Sequence, residues 1–161
     1  MRRTGKVRVM MNPLKSVWAD MVQPLLTRPK RLQVAALCLR GAGPTQEVLL
    51  ITSRDTGRWI LPKGWPIDGL TAPGAALQEA WEEAGVQSGT ITQEPLGSYD
   101  YDKRLNGGVP VQVEVKVYTV TDVQMADDYP EADARNRRWM PPSEAASLVD
   151  EPGLRQILRD L

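Results

Sequence analysis

The sequence predicts an α+β or three-layer domain, on three observations. Apolar runs bounded by turn residues recur along the chain as strand candidates. Helix-period segments are interspersed among them rather than set apart. The 161 residues are enough for one compact domain with a real core. In chain order, PLKSVWADMVQPLL, between Pro13 and Pro24, is expected to form a short helix. RLQVAALCLR (31–40) reads as a strand, GAGPT as a turn and EVLLITSR (47–54) as a second strand, so the pair reads as a hairpin. DTGRWILPKGWPIDG is a Gly/Pro-punctuated loop holding one short apolar strand, WIL. A helix follows from about Ala72 to Ala84, with Thr71 as N-cap, Pro73 tolerated in the first turn and Gly85 just past the end, followed by Val86. TITQEPLGSYDYD (90–102) and VPVQVEVKVYTVTD (109–122) are strand-like, with NGG turning between them. The second alternates from Val109 to Val117 and then shifts phase at Tyr118 and Val120. DVQMADDYPEADARNRR (122–138) reads as a long polar loop, WMPPSEAASLVD as a helix capped by Ser143, and GLRQILRDL as a last helix.

Composition narrows the chemistry. There is no histidine, which removes imidazole as base, phosphate carrier or ligand. The one cysteine, Cys38, excludes an internal disulfide, and its apolar strand makes it a buried small hydrophobe. If the chain does hydrolytic chemistry, carboxylates and a hard cation are the means. No segment is apolar for long enough to span a bilayer and the N-terminus lacks the apolar run of a secretory signal, so a cytoplasmic location and no membrane partner are the expectations. Net charge is zero but uneven: residues 1–31 hold eight Lys and Arg against Asp20 alone. The basic segment 1–30 is read as an extension ahead of a domain over 31–161. It carries no recognisable nucleic-acid motif, so nucleic acid is disfavoured as a partner. Oligomeric state is left open.

The informative segment is ALQEAWEEAGV (76–86). On a helical wheel Pro73, Ala76, Leu77, Ala80, Trp81 and Ala84 gather on one side, and Glu79, Glu82 and Glu83 on another. A helix favours acids in its first turn and bases in its last. Here two acids fall in or beside the last turn, with no Lys or Arg within a turn to relieve them. Clustered carboxylates suit Mg²⁺ or Mn²⁺, hard ions that prefer oxygen ligands. A solvated acidic face is the bland alternative. GWPIDGLT has the glycine spacing of a phosphate-binding P-loop, but Leu70 stands where the lysine must be.

These residues bear a family likeness. GWPIDGLTAPGAALQEAWEEAGV resembles the signature of Nudix hydrolases, G-x5-E-x7-R-E-U-x-E-E-x-G-U, with Gly64 at the first glycine, the three glutamates in place, and Gly85 and Val86 closing it. The flanks SRDTGRWILPKG and RRWMPPSEAASLV are also similar, so the likeness runs from about Arg31 to Val149. Leu70 replaces the signature's first glutamate and Gln78 its arginine, two residues that typically pair in the family. Leu70 is expected to pack where that pair would sit. Loss of the arginine leaves open what orients Glu79. The resemblance implies an α/β/α sandwich around a mixed sheet and hydrolysis of a diphosphate with Mg²⁺ or Mn²⁺. It implies Glu79, Glu82 and Glu83 as metal ligands. Glu79, Glu82 and Glu131 are the candidate catalytic carboxylates, Glu131 or Asp128 being a base from a later loop.

RWILPKGW and EAWEEAGV, with their basic neighbours, resemble the branch acting on diphosphoinositol and diadenosine polyphosphates. A small phosphorylated molecule is therefore the expected partner. Candidate phosphate-binding residues are Lys30, Arg31, Arg54, Arg58, Lys63, Gly64, Lys103, Arg104, Arg135 and Arg137, with Arg54 and Lys63 ranked first. Trp59, Trp65, Tyr99 and Tyr101 are candidates to stack on a base. The alternative reading is a domain that keeps this fold and binds its ligand without turnover, as Leu70 and Gln78 would allow.

Overall fold

The computed structural model describes residues 29–161. The helix expected between Pro13 and Pro24 and most of the basic segment lie outside these residues. The strands are β1 (Arg31–Arg40), β2 (Glu47–Thr52), β3 (Trp59–Ile60), β4 (Lys63–Gly64), β5 (Val86–Ile91), β6 (Gly97–Lys103), β7 (Val111–Met125) and β8 (Arg137–Met140). The helices are α1 (Ala72–Ala84), α2 (Pro142–Leu148) and α3 (Pro152–Arg159). The strands form one mixed sheet. Its spine runs β3-β2-β1-β7-β5, with β4 on β1, β6 on β7 and β8 on β2.

β1 is the centre of the sheet. It runs parallel to β7 from Arg31↔Val113 to Cys38↔Val120 and antiparallel to β2 and β4. Its continuous apolar run is what a strand covered on both faces requires. Ala35 and Leu37 join Val113, Val115 and Val117 in a core closed by Ala145, Val149, Leu154 and Leu158 of the α2–α3 layer. Val34, Ala36 and Cys38 join Tyr118 and Val120 in a second core under Ala75, Ala76, Ala80 and Ala84 of α1. The expected three-layer α/β/α sandwich is therefore the observed one. Each fully buried large aliphatic side chain contributes roughly 1.5–3 kcal/mol. The phase shift at Tyr118 is the point where β7 changes which core its buried residues enter. Cys38 is fully buried, and burial pushes its thiol up to about 12.

Four expectations need correction. The strand read over 90–102 is two strands: β5 begins directly after Gly85, and Pro95, which cannot donate a ladder bond, lies in the break before β6. β7 starts at Val111 and leaves Val109 exposed, while its far end runs on to Met125. β8 emerges from the supposed polar loop. Its arginines masked an edge strand whose Met140 is buried and whose backbone pairs with β2. Ser143 does not cap α2, because the helix starts at Pro142 after Pro141 and Ser143 falls inside it.

α1 behaves as read. The Thr71 hydroxyl accepts from the Gly74 N–H at 3.1 Å, and Gly85 ends the helix at φ 72°. A Cβ at Gly85 would also meet Arg137, the Tyr129 ring and the Ala126 carbonyl. Gly85→Ala is therefore expected to destabilise the fold by about 1–3 kcal/mol or more, read as a lower urea midpoint with an unchanged slope. An unchanged midpoint would show that this helix end tolerates a side chain.

Candidate functional site

Small residues set the site's geometry. The buried alanines of α1 let the helix lie close over β1, which brings its opposite side against β4 and the loop between β7 and β8. Glu79 rests directly over Gly64 of β4, where any Cβ would collide with its carboxylate. Gly64 is thus a seat for Glu79. Glu83 is only 8% exposed. Its Oε2 accepts from the Lys63 N–H at 2.9 Å, and its Oε1 accepts from Arg135 Nη2 at 2.5 Å. Glu82 Oε1 accepts from the Gln78 side-chain amide at 2.8 Å. Glu131 docks beside them, its N–H donating to the Glu82 carbonyl at 3.0 Å. Its carboxylate pairs with Arg135 Nε at 2.7 Å and Arg54 Nη1 at 3.1 Å.

The glutamate trio therefore does have a protein-borne counter-charge, contrary to the sequence argument. Arg135 arrives from 52 residues beyond Glu83, where a search within one helical turn cannot find it. The relief is partial. Four carboxylates (Glu79, Glu82, Glu83, Glu131) lie together, and among the described residues only two guanidinium groups (Arg54, Arg135) pair with them, with the Lys63 ammonium nearby. Glu79 carries the strain: it has no hydrogen-bond or ion-pair partner among the described residues. Burial first, and then the charges of Glu83, Glu82 and Glu131, push it up to about 7. Burial also raises Glu83, opposed by the Lys63 N–H and by Arg135. Among the described residues the acids do not converge into a preassembled three-ligand centre. In donor chemistry and charge deficit, however, Glu79, Glu82 and Glu83 fit one divalent hard cation.

Next to this cluster lies a cleft of about 460 Å³. Of the sequence candidates, Arg54, Arg58, Lys63, Lys103, Arg104, Arg135 and Glu83 line it, beside the acids Asp55 and Asp102, while Lys30 pairs with Asp100 and Arg137 with Asp127 outside it. Gly64, Glu79, Glu82 and Glu131 are not among its lining residues; Glu83 and Arg135 connect the cleft to them. Arg31 also lies outside the lining, with its guanidinium over the Trp65 ring at 4.4 Å. Asp128 is exposed and makes no hydrogen bond to α1. Arg58 is held by Glu151 at 3.1 Å and Asp150 at 3.5 Å. Burial pushes Lys63 down to about 8, and its Nζ sits 5.3 Å from the Tyr101 ring centre.

Other expectations change here. Arg135 was read as a phosphate ligand, but its side chain is 6% exposed and committed to Glu83, Glu131 and the Thr52 carbonyl. Leu70 does not pack in place of the signature ion pair; it is 48% exposed. Of the four stacking candidates only Tyr101 lines the cleft, Tyr99 being core. Sequence reasoning missed Gln33, a buried amide whose carbonyl accepts the Tyr101 hydroxyl at 2.6 Å. A lone polar residue inside an apolar strand was the available signal.

A family model described as NUDIX domain matches residues 29–161. The chain is 34% identical over 114 residues to Nudix hydrolase 21, chloroplastic, of Arabidopsis thaliana. That match covers 70% of this chain and 54% of the relative, so the chain spans about half the relative's length. It is 27% identical over 119 residues to diphosphoinositol polyphosphate phosphohydrolase 3-alpha of Homo sapiens, covering 73% of this chain and 68% of that one. In structure it is similar to C. elegans Ap4A hydrolase, with TM-score 0.58, 21% identity, and coverage of 81% of this chain and 95% of the other. At that identity the likeness shows the shared fold.

The raised Glu79 carboxyl has a measurable signature. Its folded-state value lies above its unfolded one, so its contribution to stability is fully present below the ordinary carboxylate range and is lost as pH rises through about 7. In EDTA, wild type should therefore lose melting temperature relative to Glu79→Gln between pH 5 and pH 8. Parallel melting curves for the two proteins across that range would show that Glu79 is not under this strain.

Proposed function

The chain belongs to the Nudix family, and from that premise we propose that it is a divalent-cation-dependent hydrolase cleaving a diphosphate linkage in a phosphate-dense small molecule. The observation that carries this reading is one juxtaposition. A carboxylate cluster with fewer ion-pair partners than acids shares Arg54 with an adjoining cleft also lined by Arg58, Lys63, Lys103 and Arg104. The first suits a divalent cation and the second suits several phosphates.

Glu79 and Glu83, with Glu82 as a third ligand or as the base, would hold Mg²⁺ or Mn²⁺, which would supply charge neutralisation for a diphosphate and a more acidic water. The chain's own residues do the rest. Arg54 and Arg58 present guanidinium groups to the phosphates, and Lys63 adds a point charge at the cleft wall. A carboxylate of the cluster takes the proton of the attacking water. Glu82 is the best placed to do so, because it is held by a neutral amide while Glu83 and Glu131 share a guanidinium.

Five such cations and a single aromatic, Tyr101, favour a substrate recognised by its phosphates over one recognised by a stacked base. A diphosphoinositol polyphosphate meets that description better than a diadenosine polyphosphate. The human relative's name agrees with the first and the nematode neighbour's with the second. The second reading, a domain that binds such a ligand without turnover, draws on Leu70 and Gln78 standing where the signature has an ion pair.

The test is phosphate or nucleotide release with Mg²⁺ or Mn²⁺ across diphosphoinositol polyphosphates, diadenosine polyphosphates, nucleotide sugars and nucleoside triphosphates. Glu83→Gln should lower turnover about 100-fold or more. Ligand binding without turnover under either metal would favour the second reading.

A further inference from the structure

Arg135 is the cleft cation most deeply committed to protein groups, where Arg54 and Arg58 are ion-paired but far more exposed. Three of its atoms hold three different partners: Nε donates to Glu131 Oε2 at 2.7 Å, Nη2 to Glu83 Oε1 at 2.5 Å, and Nη1 to the Thr52 carbonyl at 3.0 Å. Its side chain is 6% exposed, where that of Arg54 is 61% exposed. Turning it outward to a phosphate would take a charged partner from Glu83 and from Glu131 at once, leaving Glu83 the Lys63 N–H and Glu131 the more exposed Arg54. The loop that carries it is itself fixed against α1. Glu131 N–H donates to the Glu82 carbonyl, Ala126 N–H to the Gly85 carbonyl at 2.8 Å, and Arg137 Nη1 to the Ala84 carbonyl at 2.9 Å. The helix has no basic residue in its last turn, and Gln78 offers only an amide, to Glu82.

We propose that Arg135 is a positioning residue for the carboxylate cluster: its planar fork, anchored on the end of β2, sets the orientation of Glu83 and Glu131. The proposal rests on the cation-dependent reading above and adds to it what holds the ligand geometry. A lysine preserves the charge but brings one nitrogen in place of the three that span Glu83, Glu131 and Thr52. Arg135→Lys therefore separates positioning from electrostatics.

The experiment measures three quantities on wild type and Arg135→Lys. These are Mn²⁺ affinity by electron paramagnetic resonance without substrate, inorganic tripolyphosphate affinity in EDTA by calorimetry, and kcat and KM with the best substrate of the panel. The variant should bind Mn²⁺ about tenfold more weakly and lose about tenfold or more in kcat, as loss of a ligand-orienting partner does. KM and tripolyphosphate affinity should stay within about twofold. Unchanged Mn²⁺ affinity with weakened tripolyphosphate binding would make Arg135 a phosphate ligand and overturn the proposal. A lower melting temperature with both affinities intact would reduce it to packing. A wild type that binds no Mn²⁺ would instead remove the cation-dependent reading itself. If the variant does not fold, wild type labelled with ¹⁵N-arginine decides. The Arg135 Nε–H should stay protected from exchange both without and with Mg²⁺. Protection lost on adding Mg²⁺ would show a placeholder expelled by the ion.

Discussion

A helix C-terminus repels carboxylates, yet α1 ends on Glu82 and Glu83 with Glu79 one turn behind. Much of the surrounding structure answers that repulsion. The Lys63 N–H and the Arg135 guanidinium take both oxygens of Glu83, and the Gln78 amide takes one of Glu82. Arg137, with its guanidinium also 4.8 Å from the Tyr129 ring centre, binds the Ala84 carbonyl and so places positive charge where the helix dipole is negative. These partners come from β4, from the loop before β8 and from β8 itself. The glutamate helix is therefore held by distant segments, and its own sequence supplies little of its compensation.

The layers exist to hold those segments still. β1 is buried on both faces between the two cores, and β2, β4 and β7 take their places from it. Through β4 it carries Lys63 and Gly64 to the glutamates, and through β2 it carries the Thr52 carbonyl to Arg135. The same scaffold keeps Arg58 at the cleft: the buried Glu151, just ahead of α3, reaches back to its guanidinium. A rigid scaffold matters here because the proposed ion site would tolerate little misplacement of its ligands.

How much was legible in the sequence follows from how local each signal is. α1 was readable to the residue because its cap, its stop and its apolar face are all written within fifteen positions or so. The alternation and phase shift of β7 were readable for the same reason. β8 was not, since Arg137 and Arg138 give it a polar composition and only its pairing with β2 makes it a strand. At the site, residue types were legible and partnerships were not. The glutamates and basic residues could be named from the chain, and several do line one cleft. That Arg135 would be spent on Glu83 could not be seen, because that ion pair exists only after long-range folding has brought β2, α1 and the loop before β8 together.

The parallel pairing of β1 with β7 bears on the order of events during synthesis. Arg31 finds its neighbour only at Val113, so the parallel edge of the central strand waits for most of the chain to be made, while β2 and β4 are available early. In that interval α1 and its glutamates are already present while Arg135 and Arg137 are still to come. The nascent domain is thus a half-covered intermediate whose apolar central strand has β2 and β4 to pair with but an open edge toward β7, the kind of species prone to misassociation.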